Sequence, residues 1–292
     1  MNKINGGNLF TIVNYIFLIL LVLAIIYPLY YMFIISISDG GPVMRGEIGL
    51  LPKGINLDTY KVVLQDDSIM RSYANTILYT ITGTAIGVSC TAICAYPLSR
   101  DYFFGKYLFT FMIIFTMFFD GGMIPNYLVV EKLGLVNTMW AIVLPPAINV
   151  WFMIIMRTFF QAIPESLHES AYMDGANDLT VFIKIVLPLS VPVIATISLF
   201  YAVMHWNSFF PALIYLTDNV KYPVQIILRN IVVMGDMSQH ANIAGSTSSD
   251  FLVTAANIRY AVIFITILPI ITVYPFIQRY FVKGIMVGSL KG

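Results

Sequence analysis

The sequence predicts an all-α membrane protein with about six transmembrane helices. Composition, the length of the charge-free runs and the continuity of those runs carry the prediction. Of 292 residues, 59% are hydrophobic and 11% charged. Ordinary soluble domains carry about 25% charged residues. In water a chain of this composition would expose large apolar patches and associate. The apolar runs are continuous rather than alternating, which selects helices over barrel strands.

Charge-free runs place the helices at 9–38, 72–99, 107–130, 133–156, 185–217 and 260–278. The first run is far longer than a signal h-region of about 7–15 residues, so it reads as a retained helix. The third is the least regular, because it reaches 130 only by extending across Asp120. Prolines are frequent in or beside the runs: Pro28, Pro97, Pro125, Pro145, Pro146, Pro188, Pro192, Pro211, Pro269 and Pro275. Each removes a ladder hydrogen bond, so helices should kink or stop within the membrane, as they do where they line a path. In the second run Gly83, Gly87, Thr91 and Cys94 form a stripe of small residues, read as a seam for close helix packing. Cys90 and Cys94 lie one turn apart in that run, with neither a disulfide framework nor a metal-ligand spacing around them.

Lys and Arg near the run ends set orientation. With both termini cytoplasmic, the inner segments are 1–8, 100–106, 157–184 and 279–292. They hold Lys3, Arg100, Lys106, Arg157, Lys184, Arg279, Lys283 and Lys291. The outer segments 39–71, 120–132 and 218–259 hold as many bases in a longer stretch of chain, so base density favours this orientation. Residues 1–8 are then a cytoplasmic amino terminus, 9–281 the transmembrane domain and 282–292 a cytoplasmic tail. The net charge of +1 offers no basic field for nucleic acid.

The inner segment 161–184 carries local signals for an elbow. Pro164 precedes a run able to form a helix, with Glu165 and Glu169 near its positive end. Gly175 suits a helix-ending turn. Asn177 or Asp178 can cap a second helix that leads into the fifth span. Leu167 and Ala171 share one face of the first helix, with Tyr172 beside them. A short helix showing such a face away from the membrane wants a protein partner.

Glu169, Ala171, Gly175, Ile185, Leu187 and Pro188 match, residue for residue, the signature loop of binding-protein-dependent ABC importer permeases. Ser170 stands where that pattern has alanine. The chain therefore resembles this family. Its carbohydrate branch is echoed in Ala95-Tyr96-Pro97-Leu98-Ser99-Arg100, Gly105-Lys106, Met123-Ile124-Pro125, Lys132 to Thr138, and Trp206-Asn207. The ending Val282-Lys283-Gly284 and Gly288 to Gly292 is similar to the tail of the maltose-type six-helix permease. Permeases for complex oligosaccharides in Gram-positive bacteria look nearest.

The resemblance implies a type I ABC importer permease fold in the bacterial cell membrane. It implies a second homologous permease subunit, two cytoplasmic ATPase subunits and an extracytoplasmic solute-binding protein, which the outer loop 218–259, with its polar stretch 238–250, could touch. The segment 161–184 becomes the coupling helix and its joint. Glu169 would pair with a base on the ATPase, and Ala171, Tyr172 and Met173 would pack against it. Ser170, Asp174, Gly175, Leu187 and Pro188 complete the coupling loop. Gly288, Ser289, Lys291 and Gly292 would reach between the ATPases. No Walker A pattern occurs, so ATP and magnesium belong to the partner ATPases. The chain is expected to bind no cofactor or metal and to be no enzyme.

The solute path is expected among polar and aromatic groups at membrane depth: Asp120, Asn126, Tyr127, Trp140, Asn149, His205, Trp206 and Asn207. Trp206 and Asn207 stand out because they break an apolar run. Each also has a plain structural role open to it, at the membrane interface or in a bond to a neighbouring helix. The cargo is expected to be a sugar, most simply an oligosaccharide. The same machinery with an amino acid, osmolyte or peptide as cargo is the alternative. A proton- or sodium-coupled transporter would need ionisable groups inside its spans, and these hold only His205 and the marginal Asp120.

Overall fold

The computed structural model describes residues 6–233 and 255–289. Among these residues every regular element is helical. The chain divides into two units, one of Met1–Met70 with Leu228–Pro269 and one of Arg71–Ile227 with Ile270–Gly292.

The first unit opens with α1, Gly6–Ile37, which contains Pro28. From Phe10 to Ile37 it is long and apolar enough to cross a membrane, and its most apolar stretch has no protein cover from this chain. Such a surface suits lipid or a second chain. Two short helices follow, α2 at Gly40–Met44 and α3 at Asp58–Gln65. Ile34, Ile35 and Ile48 form a small core with Tyr31, Val43 and Tyr260. The open carbonyls at the end of α1 are closed by Asn257, whose Nδ2 donates to Ile35 O at 2.7 Å and Ser38 O at 2.8 Å. Asp66 accepts from the amides of Ser68 (2.8 Å) and Ile69 (3.1 Å), which starts the next helix.

That helix, α4, is Asp67–Ser99 and leads into the second unit. After it come α5, Lys106–Phe118, and α6, Met123–Lys132, bent by 115°. Gly122 sits at φ +83°, a conformation open to glycine, and Asp120 Oδ1 accepts from the Gly122 amide at 3.2 Å. Next are α7, Trp140–Val143, and α8, Val150–Gln161. The elbow holds α9, Glu165–Met173, and α10, Asp178–Val181. A π turn, Phe182–Val186, joins α10 to α11, Leu187–Leu189. Then come α12, Val191–Trp206, α13, Phe210–Tyr215, and α14, Val224–Val233. The last helix, α15, is Ala255–Ser289.

Among the described residues three helical stretches are long and apolar enough to cross a membrane: Phe10–Ile37, Asp67–Ser99 and Ala255–Val273. Two bent pairs, α5 with α6 and Asp178–Leu189 with α12, each pass the same test together. The expected continuous runs at 107–130, 133–156 and 185–217 are thus broken helices. The breaks coincide with Gly121-Gly122, with Pro145-Pro146 between α7 and α8, and with Pro188 and Pro192 on either side of Ser190. Freedom from charge reports what a segment can be buried in. Glycine and proline decide whether its ladder continues.

The main core lies where α4, α8 and the α10–α12 run meet. Ala95, Met153, Met156, Phe160, Val181, Val186, Ile197 and Tyr201 are fully covered there. The small-residue stripe on α4 is where α12 comes close. A methyl placed on Gly87 would lie 2.8 Å from the Tyr201 ring, and one on Gly83 would lie 2.4 Å from His205 Nε2. Thr91 Oγ1 and the Tyr201 hydroxyl share a hydrogen bond of 2.7 Å. Gly87→Val should therefore force the helices apart and cost about 1–3 kcal/mol. Thermal unfolding of the detergent-solubilised protein should show a lowered midpoint, and an unchanged midpoint would refute the seam.

Candidate functional site

The elbow is built from local signals. Pro164 at φ −55°, ψ 131° directs the chain into α9, with Glu165 in its first turn. The helix ends in a Schellman arrangement. The Ala176 amide donates to Ala171 O at 2.9 Å, and the Gly175 amide donates to Tyr172 O at 3.0 Å. Gly175 takes φ +81°, which a side chain would oppose. Of the two possible caps for α10, Asn177 is the one used, its Oδ1 accepting from the Thr180 amide at 2.9 Å.

Asp178 is thereby left for another task. Its Oδ1 accepts from the Tyr102 and Tyr172 hydroxyls, each at 2.7 Å. These two donors hold its carboxyl below the usual aspartate value. Tyr102 belongs to the turn after α4, and so does Arg100. The Arg100 guanidinium is 3% exposed. It donates to Glu165 Oε2 at 3.1 Å, to Phe160 O at 3.0 Å and to Ser99 Oγ at 3.2 Å. Arg157 Nε donates to Leu98 O at 2.9 Å. The ends of α4 and α8 and the start of α9 meet on these two arginines.

The outer edge of the elbow is open. Glu169, Ser170, Asp174 and Gly175 are exposed, and Met173 is 88% exposed. Ala171 is a correction to the expected partner surface, because it is buried against the core with His168. Tyr172 is half-buried and spends its hydroxyl on Asp178. The helical register explains this, since 168, 171 and 172 share one face. Leu187 packs partly into the same core, and Pro188 is exposed.

The expected solute-path residues fall into several places. His205 is buried, stacked on Tyr201 with ring centroids 6.4 Å apart. Trp206 is buried and meets the Tyr73 ring edge-on at 5.6 Å. Asn207 is exposed, with its Nδ2 donating to Val203 O at 2.9 Å and its Oδ1 3.4 Å from Gln225 Nε2. Asn149 is a helix cap, its Oδ1 accepting from the Phe152 amide at 3.2 Å. Asp120 and Asn126 pair with each other at 3.2 Å across the α5–α6 bend. Tyr127 stacks on Tyr215 at 6.0 Å, and Trp140 is partly exposed. Tyr201, unremarked in the sequence, is the hub. Besides Thr91, its hydroxyl accepts from the Asn149 amide at 2.9 Å and donates to Ala147 O at 3.3 Å. Its spacing of four from His205 was the one available signal. Gly288 and Ser289 end α15, while Lys291, Gly292 and the stretch 238–250 lie outside the described residues.

Residues 6–287 match the family described as the binding-protein-dependent transport system inner membrane component. The chain belongs to that family. Its members are ABC importer permeases, transport components of a membrane rather than enzymes, working with an ATPase and a binding protein. Among its relatives is the polygalacturonan/rhamnogalacturonan transport system permease protein YtcP of Bacillus subtilis (strain 168). That protein is 43% identical over 98% of this chain and 99% of its own length. Protein LplC of the same organism is 41% identical over 100% of this chain and 98% of its own. A solved chain of a bacterial ABC transporter for import of the acidic polysaccharide alginate superposes with a TM-score of 0.90. It is 36% identical and covers 96% of this chain and 100% of that one.

In this permease one buried group of the elbow stands apart from the bonding network. His168 is fully buried, and among the described residues neither ring nitrogen finds a hydrogen-bond partner. Burial first, then the nearby Arg100 charge, lowers its pKa below the ordinary 6.5, against a smaller upward pull from Glu165. The folded elbow therefore holds a neutral ring, and unfolding takes up a proton below that value. The associated stability is whole above about pH 6.5 and is lost as pH falls from there toward the lowered folded value. Once each rate is divided by the intrinsic chemical exchange rate at that pH, protection of the amides over residues 165–178 should be lower at about pH 5.5 than at about pH 7.5. His168→Leu should abolish that difference, and a difference that persists would assign it to another group.

Proposed function

We propose that the chain is one of two homologous permease subunits of a bacterial oligosaccharide importer driven by two cytoplasmic ATPases. The observation that carries the cargo is likeness along the whole chain to a permease named for polygalacturonan and rhamnogalacturonan transport. The solved alginate importer chain supports it independently of that name. Both termini and the elbow face the cytoplasm in this reading, and the solute-binding protein docks on the outer side. ATP and magnesium are held by the ATPases, and this chain binds no cofactor.

The elbow is the part the ATPase moves. Glu169, Ser170, Met173 and Asp174 form an exposed edge with an acidic character, fit for a groove carrying a base. Gly175 and the Schellman bonds make the joint stiff, so a push on α9 is passed on rather than absorbed. The tail Gly288, Ser289, Lys291 and Gly292 reaches between the ATPases. On the solute side, Asn207 beside Gln225 offers neutral hydrogen-bonding groups of the kind that bind sugar hydroxyls. His205, Trp206 and Tyr73 back that surface from beneath.

Glu169→Ala in the assembled complex should lower sugar-stimulated ATP hydrolysis about tenfold, the effect of about 1.4 kcal/mol. Membrane insertion should be retained, because the side chain is exposed. Unchanged sugar-stimulated turnover would sink the coupling role. Uptake of labelled oligogalacturonate, set against labelled amino acids and osmolytes, tests the cargo in the same vesicles.

A further inference from the structure

We propose that Arg100 and Tyr102 are positioning residues that fasten both arms of the elbow to the end of α4. Displacement of the elbow then moves α4, and with it the seam that α4 shares with α12. The proposal rests on the elbow being the surface the ATPase pushes.

The chain itself ties the elbow only to α8 and to the π turn that follows α10. The bonds from the α4 end are additional and reach both arms. Arg100 holds Glu165, in the first turn of α9. Tyr102 holds Asp178, the first residue of α10. Gly175 lies between these two anchor points, so the joint cannot open without straining one of them. A salt bridge between exposed ends would contribute little. Here the cationic end is 3% exposed, and release of its acceptors would leave a buried charge without compensation. Lys106, itself buried, pairs with Asp101 at 2.7 Å and steadies the turn that carries the two anchors.

The other end of the transmission is equally concrete. From Gly83 to Ser99 α4 is unbroken helix, about 25 Å at 1.5 Å per residue, with Pro97 only in its last turn. Gly83 and Gly87 lie on it against His205 and Tyr201. Trp206 and Asn207 follow directly in sequence. Movement of α4 therefore reaches the candidate sugar surface through one stiff helix and one tight contact, without passing through a loop.

The test uses the complete complex in proteoliposomes and reads solute imported per ATP hydrolysed. Glu165→Ala releases the first arm, Tyr102→Phe the second, and the double variant releases both. Each single variant should lower the ratio about threefold and the pair about tenfold. A merely structural role would lower import and hydrolysis together and leave the ratio where it was. A ratio within error of the parent in the double variant overturns the proposal. Should the double variant not assemble, the singles decide by the same ratio. Met173→Cys cross-linking to the ATPase, in the otherwise unaltered complex, reports on the underlying elbow reading by itself. A lowered ratio with the cross-link intact supports the clamp. Failure of the cross-link removes the elbow reading and the clamp with it.

Discussion

The end of the larger unit that carries the elbow is organised by a buried cation, Arg100. The Arg100 guanidinium is almost wholly covered, and its charge demands partners that water cannot supply. It finds them at the ends of three different elements: Ser99 at the close of α4, Phe160 O at the close of α8, and Glu165 at the start of α9. Breaking a buried pair of this kind costs about 3–5 kcal/mol, and less where one partner is solvated. Glu165 is 62% exposed, so its share is the smaller one and the covered bonds to Phe160 and Ser99 contribute more. Helix carboxyl ends leave carbonyls open and carry partial negative charge. Arg100 on Phe160 and Arg157 on Leu98 answer both needs at once.

The same requirement, met by other polar side chains, recurs at several of the helix breaks. In apolar surroundings a backbone group freed by proline or glycine must be satisfied internally. Asn257 closes the end of α1, Asn149 opens α8, and Asp120 closes the bend between α5 and α6. The Tyr201 hydroxyl takes up the Asn149 amide and Ala147 O next to the broken stretch at Pro145-Pro146. These polar side chains are therefore the cost of irregular helices, before any of them touches a solute.

That explains what could and could not be seen in the residues alone. The elbow was legible because Pro164, Gly175 and Asn177 act on their own immediate backbone. The long helices α1, α4 and α15 were legible because a charge-free run needs no partner to be recognised. The small-residue stripe was legible as a seam, though nothing in it said that Tyr201 and His205 lay opposite. Polar residues in apolar runs were harder. Asn149, named as a solute-path candidate, caps α8, and Trp206, named for breaking an apolar run, is packed on Tyr73. The bends were signalled by Gly121-Gly122 and Pro145-Pro146, but hydropathy alone merges the pieces on either side of them. Ala171 faced inward for a reason no motif states, because the face it shares with His168 is the one the core covers.

The last turn of α4 and its middle are held by different kinds of contact. At the elbow the bonds are directional and partly ionic, so small displacements are resisted and force is passed on. At Gly83 and Gly87 the contact is steric, because the His205 and Tyr201 rings fill the space a side chain would take. The Thr91–Tyr201 hydrogen bond marks one register of that contact. The residues one turn away on α4, Gly87, Val88, Cys94 and Ala95, carry no hydroxyl, so a slip of the seam would lose that bond. Both contacts hold the helix against displacement, one by directional bonds to a buried charge and the other by the absence of room.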